Sequence, residues 1–176
     1  MKEWLALFKN VDTGPFLTAY DNANKKETDI TDRSTQGEKS KQINISPDSL
    51  EAIGWLFNNY VKKVNHVKVD NLELGNCWYV EGGKGSYHRL HNHTLIKEGT
   101  ESGEGLACVL YLDVPNDEDR GEFYFLIRDK DNTKLNSLMP NKGDLIIMPK
   151  TVYHGVYPQK SEGLRRTLNF DFAYAS

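Results

Sequence analysis

Residues 140–154 read PNKGDLIIMPKTVYH: a turn through Pro140, Gly143 and Asp144, an apolar run from Leu145 to Met148, a stop at Pro149, and His154 shortly after. Pro-x-x-Gly-Asp is turn chemistry, because proline presets its own φ and glycine accepts backbone angles that other residues resist. A short apolar run held between such a turn and a proline predicts a buried strand. The same alternation continues in both directions. From Leu72 onward, runs of β-branched and aromatic residues are punctuated by Gly, Asp, Asn and Pro. They predict strands near 73–80, 86–93, 105–113, 121–128, 143–149, 152–157 and 164–173, with breaks at 97–105 and 129–142. Short strands with no helix between them imply a mostly β fold, an antiparallel sandwich or barrel.

Upstream, Ser46-Pro47-Asp48 is a helix start, with a capping hydroxyl, a proline suited to the first helical position and an acid that complements the dipole. Leu50, Ile53, Phe57, Tyr60, Val61 and Val64 then recur at helical spacing. This predicts one main flanking helix, packed outside the sheet and free of catalytic residues. Met1 to Tyr20, with apolar clusters broken by Gly14-Pro15, reads as strand pieces at a sheet edge. Asp21 to Lys41 is polar and reads as a long loop. The whole of 1–176 is expected to be one domain, with 1–71 supplying N-terminal strands, loop and helix, and 72–176 the β core.

Composition narrows the function. The 25 acidic and 22 basic residues leave a net charge of -3, which argues against a broad phosphate-binding face and so against a nucleic-acid partner. No run approaches the length of a membrane span, and MKEWLALFKN lacks the basic-then-apolar pattern of a signal peptide. A cytoplasmic protein that does not bind membranes is expected. Cys77 and Cys108 sit in apolar, strand-like runs and are read as free thiols.

Three of the five histidines, His88, His91 and His93, lie within six residues. On a strand, His91 and His93 would point to one face, about 7 Å apart along the chain, so one ion could take both. His154, delivered by the turn and strand of 140–149, offers a third ligand from a neighbouring strand. Arg165 and Arg166 stand in an otherwise apolar strand, where a guanidinium must meet solvent or an anion. Alternation places Arg165, Thr167 and Asn169 on one face, and Arg166, Leu168, Phe170 and Phe172 on the other. The first face is polar, as a carboxylate site should be. The opposite register, with Arg166 and Phe170 inside, is the alternative.

With these residues in place, Cys77 to Phe170 resembles the double-stranded β-helix (jelly-roll, cupin-like) core of the 2-oxoglutarate- and iron(II)-dependent oxygenases, closest to their prolyl-hydroxylase-like branch. Trp78-Tyr79-Val80-Glu81-Gly82-Gly83-Lys84-Gly85, then Tyr87, lead into His91-Asn92-His93. Ala107 to Asp113, Gly121 to Phe125, the Pro-x-x-Gly-Asp strand, Pro149, His154 and Arg165-x-Thr167 follow in the family's order. The resemblance implies a metal site of His91, His93 and His154 for Fe(II). It also implies 2-oxoglutarate as cosubstrate, its far carboxylate on Arg165 with help from Thr167 and Tyr79. The implied activity is a dioxygenase, a hydroxylase of a peptidyl residue or small molecule. One departure stands out: the family's second ligand is usually Asp or Glu, and here it is His93, which makes the site more positive by one charge.

Two alternatives share the architecture. Gly85, His91, His93, Glu98 and Gly105 also match the first cupin motif, and Gly143, Pro149 and His154 most of the second, with Thr151 in place of a glycine. That reading makes Glu98 a fourth ligand and needs no 2-oxoglutarate. A metal-free, non-catalytic jelly-roll binding protein is the third. Arg165 and Thr167 favour the oxygenase, because a cupin has no use for them.

Overall fold

The computed structural model describes residues 5–25, 30–32, 39–45, 50–64, 72–97, 100–102, 105–116, 119–129 and 132–174. Along the chain these form β1 (Ala6–Phe8), α1 (Gly14–Lys25), β2 (Ile30–Asp32), β3 (Ser40–Asn44) and α2 (Leu50–Asn59), then a 3-10 turn at Val61–Lys63. There follow β4 (Leu72–Gly82), β5 (His88–His91), β6 (Leu95–Lys97), β7 (Thr100–Ser102), β8 (Gly105–Asp113) and β9 (Phe123–Asp129). The chain ends with β10 (Asn132–Leu138), β11 (Leu145–Pro149), β12 (His154–Val156) and β13 (Arg165–Tyr174).

A seven-stranded sheet in the order β1-β11-β8-β13-β4-β3-β2 faces a four-stranded sheet in the order β10-β9-β12-β5, and β6 pairs with β7 in a ribbon. All pairings are antiparallel, which is the expected jelly roll. The sequence of β8 shows why the large sheet is central. Ala107, Val109 and Tyr111 pack with Phe123, Phe125 and Val156 of the smaller sheet. The alternate residues Leu106, Cys108, Leu110 and Leu112 pack on the other side with Phe16, Tyr20, Ile53 and Leu56 of the helices. A strand covered on both faces is apolar at nearly every position. The result is three layers: helices, large sheet, small sheet.

The N-terminal expectations are corrected in two places. Residues 14–25 are a helix and not edge strands; only Ala6–Phe8 pairs at an edge, against β11. The Asp12 carboxylate accepts the Gly14 N–H at 2.9 Å, Pro15 fits the first turn, and Phe16 and Tyr20 bury one face four residues apart. The loop expected at 21–41 instead ends α1 and holds β2 and part of β3. Where burial is described, β3 needs only Ser40 and Ile43 buried, so it carries little of the apolar pattern that announces a strand. β10 was missed for the same reason. It edges the smaller sheet, and Thr133, Lys134 and Ser137 face water, as residues of an edge strand often do.

The helix expected after residue 46 is α2, with Ile53 and Leu56 buried and Phe57 packed on Phe172 at 4.9 Å between ring centroids. The Ser46 cap itself lies outside the described residues. Cys77 and Cys108 are free thiols. No helix of the described residues is long and apolar enough to cross a membrane.

Candidate active site

β5 and β12 are neighbours in the smaller sheet, and His91 lies directly opposite His154. β5 stops at His91, two residues short of the strand expected through His93. His93 is instead fixed from the chain behind it: its backbone N–H donates to the Lys150 carbonyl at 2.9 Å. The three rings still converge, with centroids 4.5 to 5.3 Å apart. One ligand nitrogen from each lies within 4.8 Å of the other two, and among the described residues this is the one cluster able to hold a metal ion.

Every Nδ1 of the trio is already engaged. That of His91 meets the Arg89 carbonyl at 2.7 Å, that of His154 the Val152 carbonyl at 2.9 Å, and that of His93 the Asp171 carboxylate at 2.7 Å. If each Nδ1 carries the proton, Nε2 is the atom each ring can offer to an ion. Partners of this kind set the tautomer and orientation of metal-binding histidines. Burial, reinforced by His91, pushes the His154 imidazole down to about 3, so it is neutral and ready to ligate at ordinary pH. Phe123 stacks against its ring at 5.6 Å.

The cavity that the histidines line is walled by Val80, Val109, Phe123 and Val156, and its lining includes Tyr111, Arg165 and Thr167. Arg165 is only 4% exposed. Its one described hydrogen bond runs to the Arg120 carbonyl at 3.2 Å, and among the described residues no carboxylate pairs with it. Burial lowers its pKa, the usual result for a cation held away from water. The Tyr111 hydroxyl, also buried, has no hydrogen-bond partner among the described residues. Asn169 donates to Thr167 Oγ1 at 3.0 Å, which leaves the threonine proton free to point at a ligand. Gly121, at φ 86°, is required here: a Cβ on it would stand 1.9 Å from the Arg165 guanidinium.

Arg166 faces the other way, as the alternation of β13 implies. It donates to Glu81 at 2.9 Å and Asp113 at 3.2 Å, and stacks over the Tyr20 ring. Burial alone would raise the Glu81 carboxyl. Hydrogen bonds from Tyr20, Arg166 and Lys41 outweigh that effect and hold it below the ordinary carboxylate range.

Tyr79 does not reach the cavity, and the expectation that it assists a bound carboxylate is corrected. It is the cross-strand partner of Leu168 and shares that residue's face, so its ring enters the core beneath α1 and its hydroxyl donates to the Phe16 carbonyl at 2.9 Å. Tyr111, which sequence reasoning left without a role, pairs with Thr167 and shares the cavity face. The parity of Tyr111 within the apolar run 106–112 was the available signal. Asp171 was also missed; it lies on β13 at two-residue steps from Arg165, Thr167 and Asn169. Glu98, the fourth ligand of the cupin reading, lies outside the described residues.

Comparison with known proteins agrees with this geometry. Residues 76–171 match the family model described as a putative 2OG-Fe(II) oxygenase. No curated protein matches the chain. Among solved structures, the viral collagen prolyl hydroxylase of Paramecium Bursaria Chlorella virus-1, in its 2OG complex, superposes with a TM-score of 0.73 at 15% identity, covering 99% of this chain and 97% of that one. HygX of Streptomyces hygroscopicus, with nickel and 2-oxoglutarate bound, gives 0.70 at 14% identity over 98% and 83%. A Pseudomonas putida prolyl-4-hydroxylase gives 0.64 at 16% over 98% and 94%. At these identities the superpositions show the shared fold, while the family model covers more than half of the chain, so the chain belongs to the 2OG-Fe(II) oxygenase family, enzymes that work with iron(II) and 2-oxoglutarate.

Proposed function

We propose that His91, His93 and His154 hold iron(II) through their Nε2 atoms, and that Arg165, Tyr111 and Thr167 receive the far carboxylate of 2-oxoglutarate. The reaction proposed is hydroxylation of a small molecule or peptidyl residue. The observation that carries this reading is Arg165: a buried guanidinium with no carboxylate partner among the described residues, in one cavity with three convergent imidazoles. A buried cation of this kind calls for an anion, and a planar guanidinium suits a carboxylate in two-point contact. The partnerless Tyr111 hydroxyl and the free proton of Thr167 add donors at the same end.

Bound iron(II) supplies the redox chemistry with dioxygen and 2-oxoglutarate. The chain's own share is positioning and the exclusion of water. Arg165 stands on β13 six residues before Asp171, which touches His93, so a dicarboxylate anchored on Arg165 would extend along the strand toward the histidines. The apolar walls between them keep the interior dry, which strengthens the charge contacts at both ends.

The test is anaerobic titration of iron(II) with and without 2-oxoglutarate, following the charge-transfer absorption of the chelate. Arg165→Ala should weaken 2-oxoglutarate binding by roughly a hundredfold, the usual scale for a lost charge-assisted pair, while iron binding remains. Arg166→Ala should leave the absorption titration unchanged. If neither substitution alters it, the 2-oxoglutarate assignment fails and the cupin reading takes its place.

A further inference from the structure

A second cleft adjoins the histidines. It measures about 610 Å³, within the range of small-ligand pockets. Trp78, His91 and His93 line both it and the carboxylate cavity, so a molecule in the second cleft sits against the proposed metal position. Ile45 and Cys77 give it an apolar part, and Asn44, Asn76, Asn92 and Thr94 offer neutral donors and acceptors.

Lys150 is the exception among them. It follows β11 at the corner before β12 and is locked by its backbone, donating to the Gly105 carbonyl at 3.1 Å and accepting the His93 N–H at 2.9 Å. It lines this cleft and is only 5% exposed. Among the described residues its side chain has no ion pair or hydrogen bond. A lysine this covered and lining a cleft meets whatever occupies that cleft, and an occupant that took water from its ammonium without offering a counter-charge would be costly to bind. The one carboxylate lining the described cleft, Asp171, is already engaged with His93 at 2.7 Å. A third imidazole in place of a carboxylate ligand also leaves the charge of a bound ion less neutralised on this side.

On the strength of the oxygenase reading above, we infer that this cleft is the site of the primary substrate and that Lys150 binds an anionic oxygen group on it, a carboxylate or a phosphate. The neutral carboxamides around it would take the substrate's remaining polar groups. An apolar substrate would strip water from the ammonium without offering it a partner and is disfavoured by the same argument.

The test uses the full chain loaded with zinc(II), a redox-inert stand-in, and saturating 2-oxoglutarate. Three small probes are titrated by ligand-observed NMR: N-acetylglycine, its neutral amide, and methyl phosphate. At least one anionic probe should bind about tenfold or more tightly than the amide, and which one does so separates a carboxylate substrate from a phosphate. Lys150→Gln should abolish the preference and Lys150→Arg should keep it, both holding zinc and 2-oxoglutarate like the unaltered protein. Equal binding of all three probes, or a preference that survives in Lys150→Gln, overturns the inference. So does loss of zinc binding in Lys150→Gln, which would make Lys150 a structural residue. Failure of the unaltered chain to bind 2-oxoglutarate would instead overturn the oxygenase reading, and the probe preference measured with zinc alone would still decide the role of Lys150.

Discussion

At the scale of single residues, the pair His93 and Asp171 sets this site apart from the usual pattern of its family. The proposed ligand position that the family resemblance gives to a carboxylate holds an imidazole, and a carboxylate stands one step behind it, 2.7 Å from Nδ1, with both side chains almost wholly buried. A carboxylate in that place orients the ring and makes Nε2 a stronger donor. Asp171→Asn should therefore weaken iron(II) binding by about ten- to a hundredfold, measured by competition with a chelator of known affinity. The background of His93→Asp makes this more than a test of folding. There the ligand is itself a carboxylate and Asp171 becomes a repulsive neighbour, so adding Asp171→Asn should strengthen metal binding. The same sign in both backgrounds would show that Asp171 acts only on the stability of the fold.

At the scale of elements, the proposed carboxylate end of the cavity depends on the turn that leads into β9. Gly121 passes so close to Arg165 that any side chain would collide with the guanidinium, and its φ of 86° is itself one that other residues resist. Gly121→Ala should displace Arg165 without touching the histidines, which belong to β5, β12 and the corner after β5. The expected result is 2-oxoglutarate binding weakened tenfold or more with iron(II) binding unchanged, both read in the anaerobic absorption titration. Loss of iron binding in this variant would mean that the two ends of the cavity are not independent.

At the scale of the whole molecule, the proposed ligands come from two parts of the chain more than sixty residues apart, β5 with its corner and β12, and both belong to the smaller sheet. An ion held between them ties that sheet together in the folded state and has no comparable site in the unfolded chain. Metal at a hundredfold excess over its dissociation constant should add about 2.7 kcal/mol of stability. For a chain of this length that corresponds to a rise in Tm of roughly 5 to 10 °C, measured by calorimetry under anaerobic conditions. In His154→Ala the rise should vanish; its persistence would place the metal elsewhere.

The strands of the β core, the order of its motifs and the candidate ligands His91, His93 and His154 were legible in the sequence, because alternation and turn chemistry are local properties of a few residues each. Local alternation put Arg165 and Arg166 on opposite faces, but left open which of them faces the cavity; packing decides for Arg165. Elements at the margins were not legible: β10 carries little apolar pattern because edge strands bury little, β3 buries only Ser40 and Ile43, and α1 announces itself only through Asp12 and Pro15. The wider site was decided by tertiary structure alone. That Tyr111 and not Tyr79 faces the cavity depends on pairing with β13, where Thr167 meets Tyr111 and Leu168 meets Tyr79. The contact of Asp171 with His93 spans 78 residues of chain. The isolation of Arg165 and Lys150 from carboxylates is a statement about everything around them. Whether a buried charge has a partner is a property of the packed molecule, since the partner arrives from a distant strand or does not arrive at all.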